Sequence, residues 1–443
     1  MAGKSKMARQ QQVKQSKNVN FYIIAIPVLG FLIKLITMIN TPNGGWLGAD
    51  GENYFSGVDG LLADGYLSDK DVLSYWPAGY PILLWGLAKI SVTQIIWLIS
   101  ITQTLFYAYA SYYFVKQLRD TKLRPYLFLI GIILAINPTL SLSSMAVGYE
   151  SPIAACMLMV VGLIIKSLQS PNDRRLVIRV LGVGGFSALA TFMQPRWILT
   201  SIVIAVVWAL MSKSRKVQAL ILVGVIGVMA IAPAILIQRN VASIDKPIIS
   251  TNISAALKIG TGPETSGGYD HTGPNIKCES KVKGEQPSDG EFLACAAKWY
   301  VSNPIKTLQL TWNKSIYFWS PWSGPIANGT MARNPWLKIN PIIHIGKNSQ
   351  DGNDLVYGIG GKIISWIWLL SGLALLFYGF VALKRLGNVE KHLSYLLLLP
   401  VIASWLASVA TIGDHRFRIP TMSLSLVLQV VGFVFLKQRF TKR

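Results

Sequence analysis

Residues 126–147 and 217–237 contain no Asp, Glu, Lys or Arg. Both runs are longer than the roughly 18 residues that a helix needs to cross a bilayer. In lipid every backbone N–H and C=O must find a partner inside the protein, so a chain with such runs is driven into helices. Comparable apolar spans recur near 21–39, 94–115, 126–144, 151–166, 176–192, 197–211, 217–237, 362–383, 393–411 and 419–436. The expected fold class is therefore an all-α polytopic membrane protein of about ten transmembrane helices. Composition agrees, since 14% of the residues are charged against about 25% in soluble domains.

The net charge of +22 would suit a nucleic-acid binder, but its placement does not. With the N-terminus in the cytoplasm, alternate connections collect Lys4 to Lys17, Lys116 to Arg124, Lys166 to Arg179, Lys213 to Lys216, Lys384 to Lys391 and Lys437 to Arg443. Only Asp120, Asp173 and Glu390 oppose them there. This is the positive-inside asymmetry, which sets orientation and favours anionic lipid. It leaves membrane as the partner and argues against nucleic acid. The start of the chain is too long and polar for a secretory n-region, so residues 1–20 are read as a disordered basic cytoplasmic tail and the first span as retained.

The same alternation puts two long segments, 40–93 and 238–361, on the extracytoplasmic side. The domain plan that follows is a tail (1–20), an N-terminal transmembrane catalytic module (21–237) containing the first of these segments, a large extracytoplasmic loop region (238–361), and C-terminal helices (362–443). In the first segment Tyr54, Phe55, Val58, Leu61 and Leu62 have helical spacing, with Asp59 and Asp64 opposite. Such a helix lies in the membrane interface, with Asp50 and Glu52 at its N-terminus, where carboxylates can cap free N–H groups. Pro77 and Pro81 are expected to break any helix in the "YWPAGYPILL" stretch that follows. Cys278 and Cys295 share the second segment and could pair there. No CxxC or HExxH pattern gives a metal framework, and Asp270 with His271 reads as incidental.

A charge held in hydrocarbon costs about 2.5–3.5 kcal/mol on insertion scales, so ionisable groups at the bilayer edge are candidates for function. Asp50, Glu150, Arg196, Arg239, His415, Arg416 and Arg418 all fall at the extracytoplasmic ends of spans, while Lys34 lies within the first span and could snorkel outward. Guanidinium forks match phosphate oxygens, and a carboxylate near a hydroxyl can act as general base. Together these groups fit attack by a hydroxyl on a sugar whose leaving group is a lipid phosphate. Asp50 and Glu52 are the catalytic candidates; Lys34, Glu150, Arg196, Arg239, His415, Arg416 and Arg418 are the substrate-binding ones.

These residues resemble those of the GT-C superfamily of membrane glycosyltransferases, in its protein-O-mannosyltransferase-like and aminoarabinose-transferase-like branch. The likeness runs in order through "FLIKLITMIN", the stretch from Asp50 to "WPAGYPILL", "INPTLSLSSMAVGYESP", "ATFMQPRWIL", "APAILIQRNVASIDKPIISTN" with "GTGPETSGGY", "AAKWYVSNPIKTLQLTWNKSIYFWSPW" and "GDHRFRIP". The resemblance implies a polyprenyl-phosphate-linked sugar as donor and a hydroxyl acceptor, for which an envelope lipid or glycan is favoured over a protein. It implies Asp50 as base with inversion, Arg416 and Arg418 on the lipid phosphate, and Glu150 lining the cavity and helping to bind a divalent metal. The carboxylates and arginines on the extracytoplasmic side favour an inverting glycosyltransferase at the outer face of a bacterial cytoplasmic membrane. Gly51 separates Asp50 from Glu52 where the family's acidic pair is often adjacent, which leaves Glu52 as the fallback base. Lys34 stands where an Arg is usual. No large C-terminal soluble domain is seen, which disfavours a protein acceptor. The alternatives are a transporter or flippase of lipid-linked saccharides, whose mid-bilayer broken helices and pseudo-symmetric halves are not evident, a polymerase or ligase of another branch, and a non-catalytic lipid-binding protein.

Overall fold

The computed structural model describes residues 2–47, 50–170, 175–251, 253–268, 276–278, 288–319 and 359–441. Those residues are almost wholly helical, and the all-α membrane class holds. Among the described residues six helices are long and apolar enough to cross a membrane: Phe21–Ile39, Glu150–Gln169, Leu176–Met193, Arg215–Ile244, Asn388–Ala410 and Arg416–Thr441. They correspond to α1 (Ala2–Ile39), α8 (Glu150–Gln169), α9 (Leu176–Met193), α11 (Arg215–Ile244), α16 (Asn388–Ala410) and, beyond a short turn, α17 (Ile419–Thr441). Further expected spans appear as α5 (Ile95–Leu118), α6 (Leu127–Ile136), α10 (Trp197–Leu210) and α15 (Ile359–Lys384). The polar stretch expected to be a disordered tail continues α1 without a break from Ala2. Its Lys, Gln, Met and Ala content favours helix, and after Gly3 it holds no Gly or Pro.

One helix organises the bundle. The most apolar window of α8 is 83% buried, against 28% in α11 and 33% in α1. Around it pack α5, α9, α16 and α17. Ala154, Ala155 and Cys156 are fully shielded on α8, and such small side chains let neighbouring helices approach.

The third expected span, 126–144, is not continuous. Helix α6 ends at Ile136, Asn137 adopts an extended ψ of 124°, and a short α7 (Pro138–Ser143) follows. Pro138 disfavours the helical conformation at Asn137. The chain then runs as strand β2 (Ala146–Val147), which pairs in parallel with β1 (Trp46–Leu47). Irregular backbone among membrane helices needs partners, and α5 supplies them from one face. Ser100 donates to the Met145 carbonyl at 3.0 Å, Gln103 to that of Ala146 at 3.0 Å, and Thr104 to Ser144 Oγ at 3.1 Å.

After β1 comes the amphipathic α2 (Gly51–Asp64), which buries Tyr54, Val58 and Leu61. Helices α3 (Asp71–Tyr75) and α4 (Gly79–Ala88) follow. Pro81 does not break α4 as expected, because it occupies the first turn, where its missing N–H would have no helical partner anyway. Within 238–361 lie α12 (Ile253–Gly260), α13 (Asp289–Ser302) and α14 (Pro304–Trp319). Helix α13 begins with a capping box between Ser288 and Glu291. Cys278 and Cys295 form a disulfide beside a small cluster of Leu257, Ile276, Phe292 and Ala296. Asp270 and His271 lie outside the described residues.

Candidate active site

The parallel β1–β2 register aligns Leu47 with Val147. Asp50 and Glu150 each stand three residues further on, so the pairing carries two carboxylates to the same place. Both stand at helix starts, Asp50 as the N-cap of α2 and Glu150 as the first residue of α8. Glu150 therefore opens a helix rather than ending the third span. Helix N-termini carry partial positive charge, which favours carboxylates there. A Cβ at Gly148 would press on the Glu150 carboxylate, so a larger residue there would displace that side chain. The Gly148 N–H donates to Tyr80 Oη at 2.8 Å.

Arg416 closes the arrangement from the turn before α17. Its Nε donates to Glu150 Oε1 and its Nη1 to Asp50 Oδ2, the latter at 2.5 Å. The three side chains are 10%, 13% and 2% exposed in the order Arg416, Asp50, Glu150. Asp50 makes no side-chain capping bond to α2, so its carboxylate serves the ion pair and not the helix end. Asp50 meets the guanidinium through Oδ2.

A floor of rings lies beside the ion pairs. Tyr54 meets Tyr80 edge-on at 4.9 Å and Tyr149 at 6.3 Å between centroids. The Tyr54 hydroxyl is buried without a hydrogen-bond partner among the described residues. Burial, reinforced by the nearby Asp50 carboxylate, pushes its phenol well above the ordinary pKa, so it remains an O–H donor. Arg196, the N-cap of α10, donates to Tyr149 Oη at 2.7 Å and stacks 3.7 Å from the Phe417 ring centroid. A small cleft lies beside it, lined by Arg196, Trp197, Thr200, Ser404, Ala407, Ser408 and Phe417. Arg418 donates from Nη1 to the Trp319 carbonyl at 2.6 Å, and its Nε is buried without a partner among the described residues.

The turn that carries both arginines is braced on every side. Asp414 accepts from the Arg416 N–H at 2.9 Å. Ser404 donates to Phe417 O and Ser408 to Ile412 O, each at 2.8 Å. Lys314 of α14 is fully buried, and its ammonium nitrogen lies 3.0 Å from Val409 O, 2.7 Å from Thr411 O and 2.9 Å from Tyr300 Oη.

Other sequence candidates sit elsewhere. Glu52 is exposed, since two helical positions on from Asp50 point to nearly the opposite side. Arg239 is buried, and its guanidinium donates to the carbonyls of Tyr66 and Ser68 and to Asn240 Oδ1, which fastens α11 to the loop after α2. Lys34 is 3% exposed and does not snorkel; its Nζ lies 4.7 Å from the Tyr107 ring centroid. His415 belongs to the arginine turn, and its side chain lies outside what is described. Tyr149 and Phe417 escaped the sequence reading. A signal was present in the echo of "WLGAD" at 46–50 by "AVGYE" at 146–150, which share glycine and acid at like positions.

The metal implied by the family resemblance does not fit these residues. Glu52 faces away, the remaining two carboxylates already hold a guanidinium between them, and no group of three or more His, Cys, Asp or Glu among the described residues could hold a metal ion.

No protein-family model matches the chain, and no curated protein matches it. Among solved structures it is similar to the oligosaccharyltransferase of Archaeoglobus fulgidus in the apo form, with TM-score 0.50, 14% identity, and coverage of 95% of this chain and 51% of that one. The same enzyme tethered by a disulfide bond to an acceptor peptide with the NVT sequon gives TM-score 0.50, 13% identity, and coverage of 95% and 50%. The archaeal oligosaccharyltransferase AglB from Archaeoglobus fulgidus, in complex with an inhibitory peptide and a dolichol-phosphate, gives 0.49, 13%, and coverage of 95% and 51%. The chain spans about half the length of the structures it matches. At this identity the likeness establishes architecture alone: the chain shares the fold of these oligosaccharyltransferase structures.

Proposed function

We propose that the chain is an inverting glycosyltransferase. It moves a sugar from a polyprenyl-phosphate donor to a hydroxyl on an envelope lipid or glycan, at the outer face of a bacterial cytoplasmic membrane. The observation that carries this reading is the meeting of Asp50 and Glu150 with Arg416, with Arg196 close by, at one end of an apolar helix bundle. Its likeness in fold to the oligosaccharyltransferase structures supports the same reading.

In the proposed reaction the acceptor oxygen attacks the anomeric carbon from the side opposite the phosphate, and its proton passes to Asp50 Oδ1. The bond between that carbon and the phosphate oxygen breaks, and the lipid phosphate leaves with the electron pair. Two donor nitrogens of Arg416 are already taken by carboxylates, so Arg196 and Arg418 are the cations assigned to the developing phosphate charge. The cleft beside Arg196 is assigned to the phosphate end of the lipid, with Ser404, Ser408 and Thr200 as polar wall and Trp197, Ala407 and Phe417 as apolar wall. The buried Tyr54 hydroxyl is a donor within the same group of charges.

The test is mass spectrometry of envelope glycolipids and glycans from a strain lacking this chain, complemented with wild type or with Asp50→Asn. A sugar modification that disappears and returns with wild type alone is the expected result. Identical profiles in all three strains would overturn the reading.

A further inference from the structure

We propose that the Arg416 guanidinium occupies the position of a divalent cation between Asp50 and Glu150, so that the site runs on a cation built into the chain. The proposal deepens the transferase reading above, and its activity arm rests on that reading.

Geometry carries it. A hard divalent ion gathers about six or more oxygen ligands. Here two carboxylates face one centre, Glu52 points outward, and the centre is filled by a planar fork whose Nε and Nη1 each take one carboxylate. Each carboxylate accepts from one nitrogen of the fork, so both acids are oriented and share its positive charge. The fork cannot diffuse away, because Asp414, Ser404 and Lys314 brace the turn that bears it. The Tyr149 ring lies beside it, with 5.2 Å between its centroid and Arg416 Cζ.

Charge separates the two designs. Two carboxylates and one guanidinium leave one net negative charge, whereas two carboxylates and a dication leave none. The residual negative charge stays on the acid pair that includes Asp50. Arg416 is thus a positioning residue for Asp50, and the reaction requires no added metal.

The test uses the full-length protein in lipid nanodiscs, with Mn2+ as probe and electron paramagnetic resonance as readout. Wild type is expected to leave the free Mn2+ signal unchanged. Arg416→Ala is expected to bind Mn2+, and Arg416→Ala with Glu150→Gln to lose it again. Wild-type Mn2+ binding that disappears in Glu150→Gln would overturn the proposal, and this arm needs no Arg416 variant to fold. A folded Arg416→Ala that binds no Mn2+ would also overturn it. In the activity arm, sugar transfer by wild type is expected to be the same with and without EDTA, and loss of transfer restored by Mg2+ or Mn2+ counts against it. Absence of transfer under every condition sinks the transferase reading instead, while the Mn2+ measurements still decide the identity of the cation.

Discussion

Arg416 Nη1 donates to Asp50 Oδ2 at 2.5 Å, although 366 residues separate them along the chain. The same guanidinium reaches Glu150, 266 residues away, through Nε. One side chain on the turn before α17 therefore ties together the starts of α2 and α8. None of the three is more than 13% exposed, so water screens the contacts little.

Removing Arg416 strands two shielded carboxylates beside each other. Breaking a buried ion pair by deleting one partner costs about 3–5 kcal/mol. Arg416→Ala is expected to lower the thermal unfolding midpoint in nanodiscs, and adding Glu150→Gln is expected to recover part of the loss. Strictly additive effects in the double variant would show that the residues do not interact.

Asp50 and Glu52 differ in exposure despite their closeness in sequence. Asp50→Asn is expected to reduce sugar transfer by about 10²–10⁴-fold, the usual contribution of a general base. Glu52→Gln should leave transfer near the wild-type rate, because its side chain faces solvent or headgroups. Purified protein with a polyprenyl-phosphate-sugar donor gives both rates, and a larger loss in Glu52→Gln would reverse the assignment.

Helix α4 begins at Gly79, where a Cβ would run into the Phe192 carbonyl of α9. Gly79→Ala is expected to destabilise by about 1–3 kcal/mol through overpacking. Gly86 in the same helix has open space around its Cβ position. Gly86→Ala is expected to be neutral or to stabilise by about 0.5–1 kcal/mol through helix propensity. Denaturation midpoints of the two variants, compared side by side, check the contrast.

Burial lowers the Lys314 ammonium from its ordinary 10.5 to about 7. Between those values the unfolded chain binds a proton that the folded chain lacks, so this group makes stability rise with pH across that interval. Below pH 7 both states are protonated and the destabilising contribution is at its full size. The Lys314 nitrogen donates to Val409 O, Thr411 O and Tyr300 Oη. Thermal midpoints across the interval should climb in wild type and climb less in Lys314→Met; parallel slopes would rule out Lys314 as the source.

Charge-free runs revealed most of the helices, because crossing lipid is a property of about twenty neighbouring residues. The break after Ile136 was only half legible. Pro138 marks a helix boundary in the sequence, but the chain turned into strand β2 because Ser100, Gln103 and Thr104 on α5 were placed to take its freed backbone groups. The tail shows the opposite error, where polar composition suggested disorder but the residue types favour helix.

The candidate residues were visible as charges at the membrane boundary, yet their partners were not. Arg239 and Arg416 are the same residue type at the ends of spans, and one fastens a loop while the other joins two acids. Hydropathy and helical period act over a few turns, so the sequence alone determined the membrane class, the course of most helices and the charges available at the bilayer edge. Which charges meet depends on how α2, α8 and α17 pack, since a hydrogen bond acts over about 3 Å and is blind to separation along the chain. Only the tertiary structure could place one guanidinium between two carboxylates, and turn Glu52, Arg239 and Lys34 elsewhere.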